Sequence, residues 1–322
     1  KKLPNNEASV WRLSGRTYND LDFVTLRLGA NINEQKSRTY THQYAKWSSE
    51  HNPRIVSNNY SYTARLSRTL FKNSFINLNL GYKLFKRETG DGMWFDNIQA
   101  YGDKSLNPLI SANGTRVTFD SVGIFFAPGR VYGGYTKERL QTMTGDLDMS
   151  AQIENHLFEV GGGISLNTLR YYSLGTRVLT IAIGKDSLSF EERARNALPW
   201  NFGYDITAQK ETADGAVDEV TGFSIAPKKP VIAYLYAQDR YELKDIVLNI
   251  GLRMDYFDTK ADVLRNELLP FAYGDPTKED PADYVLAKKE VIFSPRIGLG
   301  FPVTSTTVFH AQFGKFVQQP RL

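Results

Sequence analysis

The chain has 322 residues, no cysteine, four histidines, and 39 Lys+Arg against 35 Asp+Glu for a net charge of +4. Without cysteine there is no disulfide framework, thiolate zinc site, iron–sulfur cluster or cysteine nucleophile, and so small a basic excess leaves no footprint for nucleic acid. No apolar run approaches the roughly 20 residues of a transmembrane helix, and a mean hydropathy of −0.39 gives the chain a soluble look.

The chain opens on Lys1, Lys2, Leu3 and Pro4, with no Met, no apolar signal region and no cleavage site. It stops at Gln318, Gln319, Pro320, Arg321 and Leu322, just after a strand-like run. It therefore reads as an interior piece of a longer chain, or as one with interruptions.

Alternation with period two recurs throughout, which places successive side chains on opposite faces of a sheet. After a weaker strand near Val10–Thr17, Val24, Leu26, Leu28, Ala30 and Ile32 interleave with Thr25, Arg27, Gly29, Asn31 and Asn33. Tyr60, Tyr62, Ala64 and Leu66 follow, then Ile76, Leu78, Leu80, Tyr82 and Leu84, each set separated by polar or small residues. Leu147, Met149, Ala151 and Ile153 form the next set, followed by Phe158, Val160, Gly162, Ile164 and Leu166. The last third carries Ala233, Leu235 and Ala237, then Ile246 to Tyr256 on even positions, then Ile297, Leu299 and Phe301, then Phe309, Ala311 and Phe313. The pattern predicts about ten strands of roughly 10–14 residues. Soluble strands average about 5–6 residues, whereas a tilted strand crossing a bilayer needs about 9–11.

The connections alternate short and long. Tight turns are expected at Tyr18–Leu21, Phe71–Ser74, Glu154–His156, Leu243–Asp245 and Pro302–Thr306, and long loops at Gln35–Arg54, Glu88–Tyr135, Ser173–Lys229 and Thr259–Glu290. Such loops are rare in compact soluble domains but are what a membrane barrel carries on its outer side, opposite short periplasmic turns. The predicted fold is all-β, a transmembrane antiparallel β-barrel portion whose apolar face meets membrane lipid. Blade-like repeats of a soluble propeller are absent. Tyr60, Tyr62, Tyr82, Tyr171, Tyr172, Tyr241, Tyr256 and Phe257 are expected near the membrane–water boundary.

Within the loops, Glu88–Asp103 sets acidic residues among glycines, without the ligand order of a calcium loop. Its Trp94, Phe95 and Tyr101 are candidates for ligand contact, as are Trp200 and Tyr204 in the second aromatic cluster; packing within the loops is the alternative for all five. The segment from Phe190 to Leu198 reads as a short helix. Arg27, Arg65, Arg253, Asp255 and Arg296, with Lys83, Asp146 and Asp148, are candidates to line the lumen, where pairing across strands is the alternative role. Gly161, Gly162 and Gly163 sit within a strand and suit a bend or the close approach of a plug rather than a phosphate loop. His42 and His51 fall in one loop, His156 in a turn and His310 in a strand, with no nucleophile or metal spacing between them. No catalytic set, metal site or cofactor motif emerges.

Ala233 to Glu242 (AYLYAQDRYE) followed by Val247 to Asp258 (VLNIGLRMDYFD) resembles a hairpin of TonB-dependent outer-membrane receptors. Ser294 to Pro302 (SPRIGLGFP), running on to His310 to Phe316 (HAQFGKF), resembles the next hairpin of that family. The family pattern runs Y-x-Q-D, G-x-R-x-D-Y, S-P-R-x-G and a strand ending near a Gly–aromatic pair, and all four occur here in that order. The nearest resemblance is to Bacteroidota-type receptors of the carboxypeptidase-regulatory-like, Oar-like subgroup.

This resemblance implies that residues 1–322 are part of one barrel, about ten strands of a 22-stranded cylinder, with the plug and the remaining strands outside the chain. It implies an outer-membrane location in a Gram-negative bacterium. It also implies uptake of a scarce solute, be it small molecule, glycan or peptide, driven by the TonB–ExbB–ExbD complex through an N-terminal region not contained here. A barrel serving as an anchor or assembly scaffold for surface proteins, a surface lipoprotein among them, is the second reading.

Overall fold

A computed structural model describes residues 3–110, 119–175 and 188–318. Along these residues run β1 (Glu7–Leu21), β2 (Val24–Arg38), β3 (Arg54–Phe71), β4 (Ser74–Gly90), β5 (Tyr135–Ile153), β6 (His156–Leu174), β7 (Trp200–Phe202), β8 (Val231–Leu243), β9 (Ile246–Asp258), β10 (Asp262–Leu264), β11 (Tyr284–Leu286), β12 (Glu290–Thr304) and β13 (Thr307–Gly314). Ten of them pair antiparallel in the order β1-β2-β3-β4-β5-β6-β8-β9-β12-β13, each beside its predecessor on that path. β7 adds to β6 off this path, and β10 and β11 form a hairpin of their own.

The register turns the alternation into two continuous faces. One row runs Leu28, Ala64, Leu80, Gly145, Ile164, Ala233, Tyr256 and Val291 across eight strands. The row one residue away reads Arg27, Arg65, Asn79, Asp146, Gly163, Tyr234, Asp255. Leu80, Leu147, Leu235 and Ile297 of the apolar face are all about half exposed or more. A contiguous apolar surface of that extent has no place in water and suits lipid. Among the described residues no helix is long and apolar enough to cross a membrane.

The strands outrun the predicted 10–14 residues. β3 has 18 residues, and β5 and β6 have 19 each. In β5 the apolar alternation ends at Met143, yet pairing to β6 continues through Gln141, Arg139 and Lys137 on the same face. A bilayer span takes about 9–11 residues, so these hairpins project well beyond it. Hydrophobic periodicity marks only the lipid-crossing part of such a strand.

The tight turns all lie at one end. The first is at Asp22 and Phe23 rather than at Tyr18–Leu21, because pairing continues to Leu21 opposite Val24; Asn19 and Asp20 have turn composition but are held in the ladder. Asp22, Glu154 and Lys244 each begin a turn with φ of 42°, 50° and 49°, the left-handed backbone that two-residue hairpins require. Pro302 belongs to β12, beside a register irregularity, where a missing N–H is tolerated. His156 is the first residue of β6, not a turn residue.

At the opposite end the long loops fold into a layer of their own. Among the described residues it holds 3-10 turns at His42–Tyr44, Ser49–His51, Ile98–Gly102 and Pro281–Asp283 and a helix, α1 (Phe190–Asn196). The Ser189 hydroxyl and the Glu192 carboxylate close a capping box at the start of α1. The buried apolar cluster sits in this layer: Tyr135 and Tyr172 from the strand tops pack with Ile98, Tyr101, Ile110, Val131, Leu174, Ala197, Tyr204 and Ala208.

Candidate functional site

The first loop cluster is organised by Asp91, which is fully buried. One carboxylate oxygen accepts the N–H groups of Met93 at 2.9 Å and Trp94 at 3.2 Å. The other accepts the N–H of Tyr132 at 2.9 Å, and His51 Nδ1 lies 2.8 Å from it. With its lone pairs filled by protein donors, Asp91 is a clasp between three loop segments and not a calcium ligand. Tyr101 is fully buried beside it; its hydroxyl donates to the Phe95 carbonyl at 2.5 Å and accepts the Asp91 N–H at 2.5 Å. Desolvation holds that hydroxyl far above the usual tyrosine range. Trp94 packs edge-on against His51 and Tyr101, and Phe95 lies under the Arg54 guanidinium at 4.5 Å.

Tyr204, at 2 % exposure, is interior as well. Lys137 stands 5.2 Å over its ring, and Arg170 donates to the Gly203 and Thr212 carbonyls at 2.7 and 2.8 Å. Burial, reinforced by the Glu211 carboxylate and opposed by Arg139 and Arg170, pushes the Tyr204 hydroxyl up to about 12. Tyr101 and Tyr204 are thus both interior, their rings packed into the buried cluster of the loop layer. Tyr172, expected at the membrane boundary, is also fully buried there, its hydroxyl donating to the Ile206 carbonyl at 3.0 Å.

Trp200 is different. Its side is open, at 70 % exposure, and its ring meets Tyr171 edge-on at 5.5 Å while Phe202 stacks on Tyr171 at 5.9 Å. β6 carries β7 at Tyr171–Ser173, past Leu166, where its pairing with β8 ends. Beside β7 lies a cavity of about 700 Å³, lined by Trp200 and Phe202 and by Tyr284, Val285 and Leu286 of β11. Phe223 contacts Tyr284 edge-on at 5.9 Å and links these walls. Among the described residues the cavity's two cations are already paired: Arg195 grips both oxygens of Asp218 at 2.5 Å, and Lys228 pairs with Asp262. Burial disfavours the Asp218 carboxylate, but the Arg195 guanidinium and the Thr221 hydroxyl and N–H outweigh it and hold its carboxyl below the usual range. Nothing in the sequence joined Trp200 to Tyr171, Phe223 or Tyr284, since these lie up to 84 positions apart; only the β6–β7 pairing and the β10–β11 hairpin bring them together.

The polar face of the strands carries the remaining candidates. Arg27 and Arg65 are cross-strand partners; Arg27 stacks on Tyr18 at 5.2 Å and Arg65 donates to Asn77 at 3.1 Å. Arg253 donates to Asp255 at 2.8 Å and lies 4.1 Å over the Tyr234 ring. Arg296 lies 4.9 Å over the Phe316 ring. Tyr234 and Tyr236 on β8 donate to Asp146 and Asp148 on β5, each at 2.8 Å, reaching across β6. Gly163 and Gly161 make this crossing possible, because a Cβ at either would stand 2.7 or 2.6 Å from the tyrosine ring above it. The groups that lie over these two glycines belong to the barrel's own wall, where the sequence led to the expectation of a bend or a plug. Among the described residues no group of His, Asp and Glu is arranged to hold a metal ion.

The model of the family "TonB dependent receptor-like, beta-barrel" matches residues 3–322. Among solved structures, the copper transporter OprC superposes with a TM-score of 0.51 at 8 % identity, over 96 % of this chain and 37 % of that one. The ferric preacinetobactin receptor BauA of Acinetobacter baumannii gives 0.48 at 7 % identity, over 95 % and 39 %. The siderophore receptor PiuA of the same organism gives 0.46 at 14 % identity, over 93 % and 41 %. The chain thus spans well under half the length of each of these proteins. No curated protein sequence matches.

Proposed function

The chain belongs to the TonB-dependent receptor β-barrel family, and from that premise we propose that it is part of the barrel of an outer-membrane receptor in a Gram-negative bacterium, one that captures a scarce solute and admits it by TonB-coupled transport. The apolar face meets lipid, the polar face lines the lumen, and the loop layer is the outward, ligand-receiving end. The plug, the segment that engages TonB and the remaining strands belong to the rest of the receptor.

The observation that carries this reading is a division of labour within the loop layer. Tyr44, Tyr101 and Tyr204 are packed inward and tie the loops together, while Trp200, at 70 % exposure, remains open on the wall of a 700 Å³ cavity. Concave, largely apolar sites with a few placed polar groups are what ligands occupy. In this reading Trp200 contacts the ligand, Trp94 and Phe95 border its approach, and Tyr101 and Tyr204 position the loops. Arg27, Arg65, Arg253, Asp255 and Arg296 then face the solute on its way through the lumen.

The test is uptake by cells carrying the full receptor, with and without TonB, and with Trp200→Ala. Transport should require TonB and fall at least tenfold in the variant. Uptake that persists after TonB loss would sink active transport and leave the scaffold reading standing. Uptake indifferent to Trp200→Ala would remove this cavity from capture.

A further inference from the structure

Two short strands line the same cavity with edges largely unpaired among the described residues, the Tyr284 N–H to the Pro281 carbonyl excepted. β7 pairs only with β6, and β11 only with β10, among the described residues. Neither Trp200–Phe202 nor Val285–Leu286 makes a further backbone hydrogen bond to a loop or turn there. Backbone N–H and C=O groups left on a strand edge are a template for another strand. Both edges are flanked by exposed apolar side chains, with Trp200 at 70 %, Leu286 at 65 % and Val217 at 56 % exposure.

Charge narrows the occupant further. Arg195 and Lys228 are each matched to a carboxylate, and Glu279 adds a negative charge held by the Tyr284 hydroxyl. Among the described residues that line the cavity both cations are paired, so a multiply charged anion would have to break one of these pairs. A ligand of low net charge, with amides to satisfy the strand edges and apolar groups at every second position, would meet all three features. Side chains two apart share a face, so Trp200 and Phe202 on β7, and Tyr284 and Leu286 on β11, offer paired apolar contacts at that spacing.

We propose that this cavity takes a peptide in extended conformation, of low net charge and with alternating apolar side chains, by adding it as a strand to the edge of β7 or β11. The proposal rests on the capture reading above and names its ligand class. Main-chain hydrogen bonds would supply affinity and the alternate apolar contacts specificity, as in other strand-addition complexes.

The experiment measures binding to the full-length receptor in detergent by tryptophan fluorescence and calorimetry. The probe is a blocked pentapeptide alternating serine and leucine; its counterpart carries N-methyl groups on the serine nitrogens. The parent peptide should bind saturably, N-methylation should weaken it at least tenfold, and Trp200→Ala should do the same. Heat-modifiable migration on gels establishes that the variant barrel is folded. No saturable binding of the parent, or equal binding of the methylated peptide, overturns the proposal. If Trp200→Ala abolishes uptake of the natural solute while methylation is without effect, strand addition falls and the capture site stands. If Trp200→Ala leaves both uptake and peptide binding unchanged, both fall.

Discussion

The hydroxyl of Tyr234 on β8 reaches Asp146 on β5 at 2.8 Å, although the whole of β6 lies between them. The bond exists because Gly163 gives the ring a surface without a side chain to lie on. Aromatic rings laid over strand glycines also restore the packing that glycine forfeits.

Gly163→Ala should therefore lower barrel stability by roughly 1–3 kcal/mol, the usual cost of forcing an extra methyl into a filled space. Gly145→Ala is the matched comparison, since its new Cβ would meet only a Leu80 methyl at 3.6 Å, an ordinary contact. Urea unfolding in lipid vesicles should separate the two variants. Equal midpoints would mean that the tyrosine bridge relaxes freely.

Asp91→Ala should open the first loop cluster while leaving the strands intact. It strands the N–H groups of Met93, Trp94 and Tyr132, at about 1–3 kcal/mol for each buried donor left unpaired. Limited proteolysis of whole cells should then cut between residues 91 and 134, with gel heat-modifiability unchanged. Resistance equal to that of the parent would show that the clasp is redundant.

Tyr204 supplies a pH dependence with a defined sign. An unfolded tyrosine ionises near 10, whereas burial first, then Glu211, pushes the folded group up to about 12. Between those values the unfolded loop binds fewer protons than the folded one, so its stability is complete below pH 10 and declines as pH rises toward 12. The 295 nm absorbance difference between the parent and Tyr204→Phe should therefore titrate well above 10. A midpoint at 10 would place the hydroxyl in water.

Trp200→Ala and Tyr101→Ala should part company. The exposed Trp200 should cost under about 0.5 kcal/mol in stability and yet lose ligand. The buried Tyr101 should cost about 3–5 kcal/mol and lose ligand only through loop collapse. Thermal unfolding alongside uptake distinguishes them, and a large stability loss in Trp200→Ala would recast that ring as structural.

Arg253→Glu sets a second carboxylate beside Asp255 and removes the cation over Tyr234. Solute passage should slow severalfold at unchanged surface abundance. Unchanged passage would confine Arg253 to holding the wall.

The strand order and both faces were legible in the sequence because lipid imposes a strict period of two on every spanning residue. That same rule hid the strand ends, since beyond the bilayer neither face need be apolar, as Lys137, Arg139 and Gln141 illustrate. The loop aromatics were visible as clusters, but the fate of each ring was not. Tyr204 and Trp200 are four residues apart in similar company, and only the β6–β7 pairing sends one into the core and leaves the other open. Likewise Gly163 announced a close approach without naming the tyrosine 71 positions onward that makes it.

Tyr135 and Tyr172, the two rings at the centre of the buried loop cluster, come from the tops of β5 and β6 and not from the loops themselves. A hairpin shifted by one residue would turn Tyr172 to the opposite side, and the loop layer would lose one of the two rings it condenses upon. Packing of that layer thus depends on correct strand pairing, and its resistance to protease reports the register of the hairpin beneath.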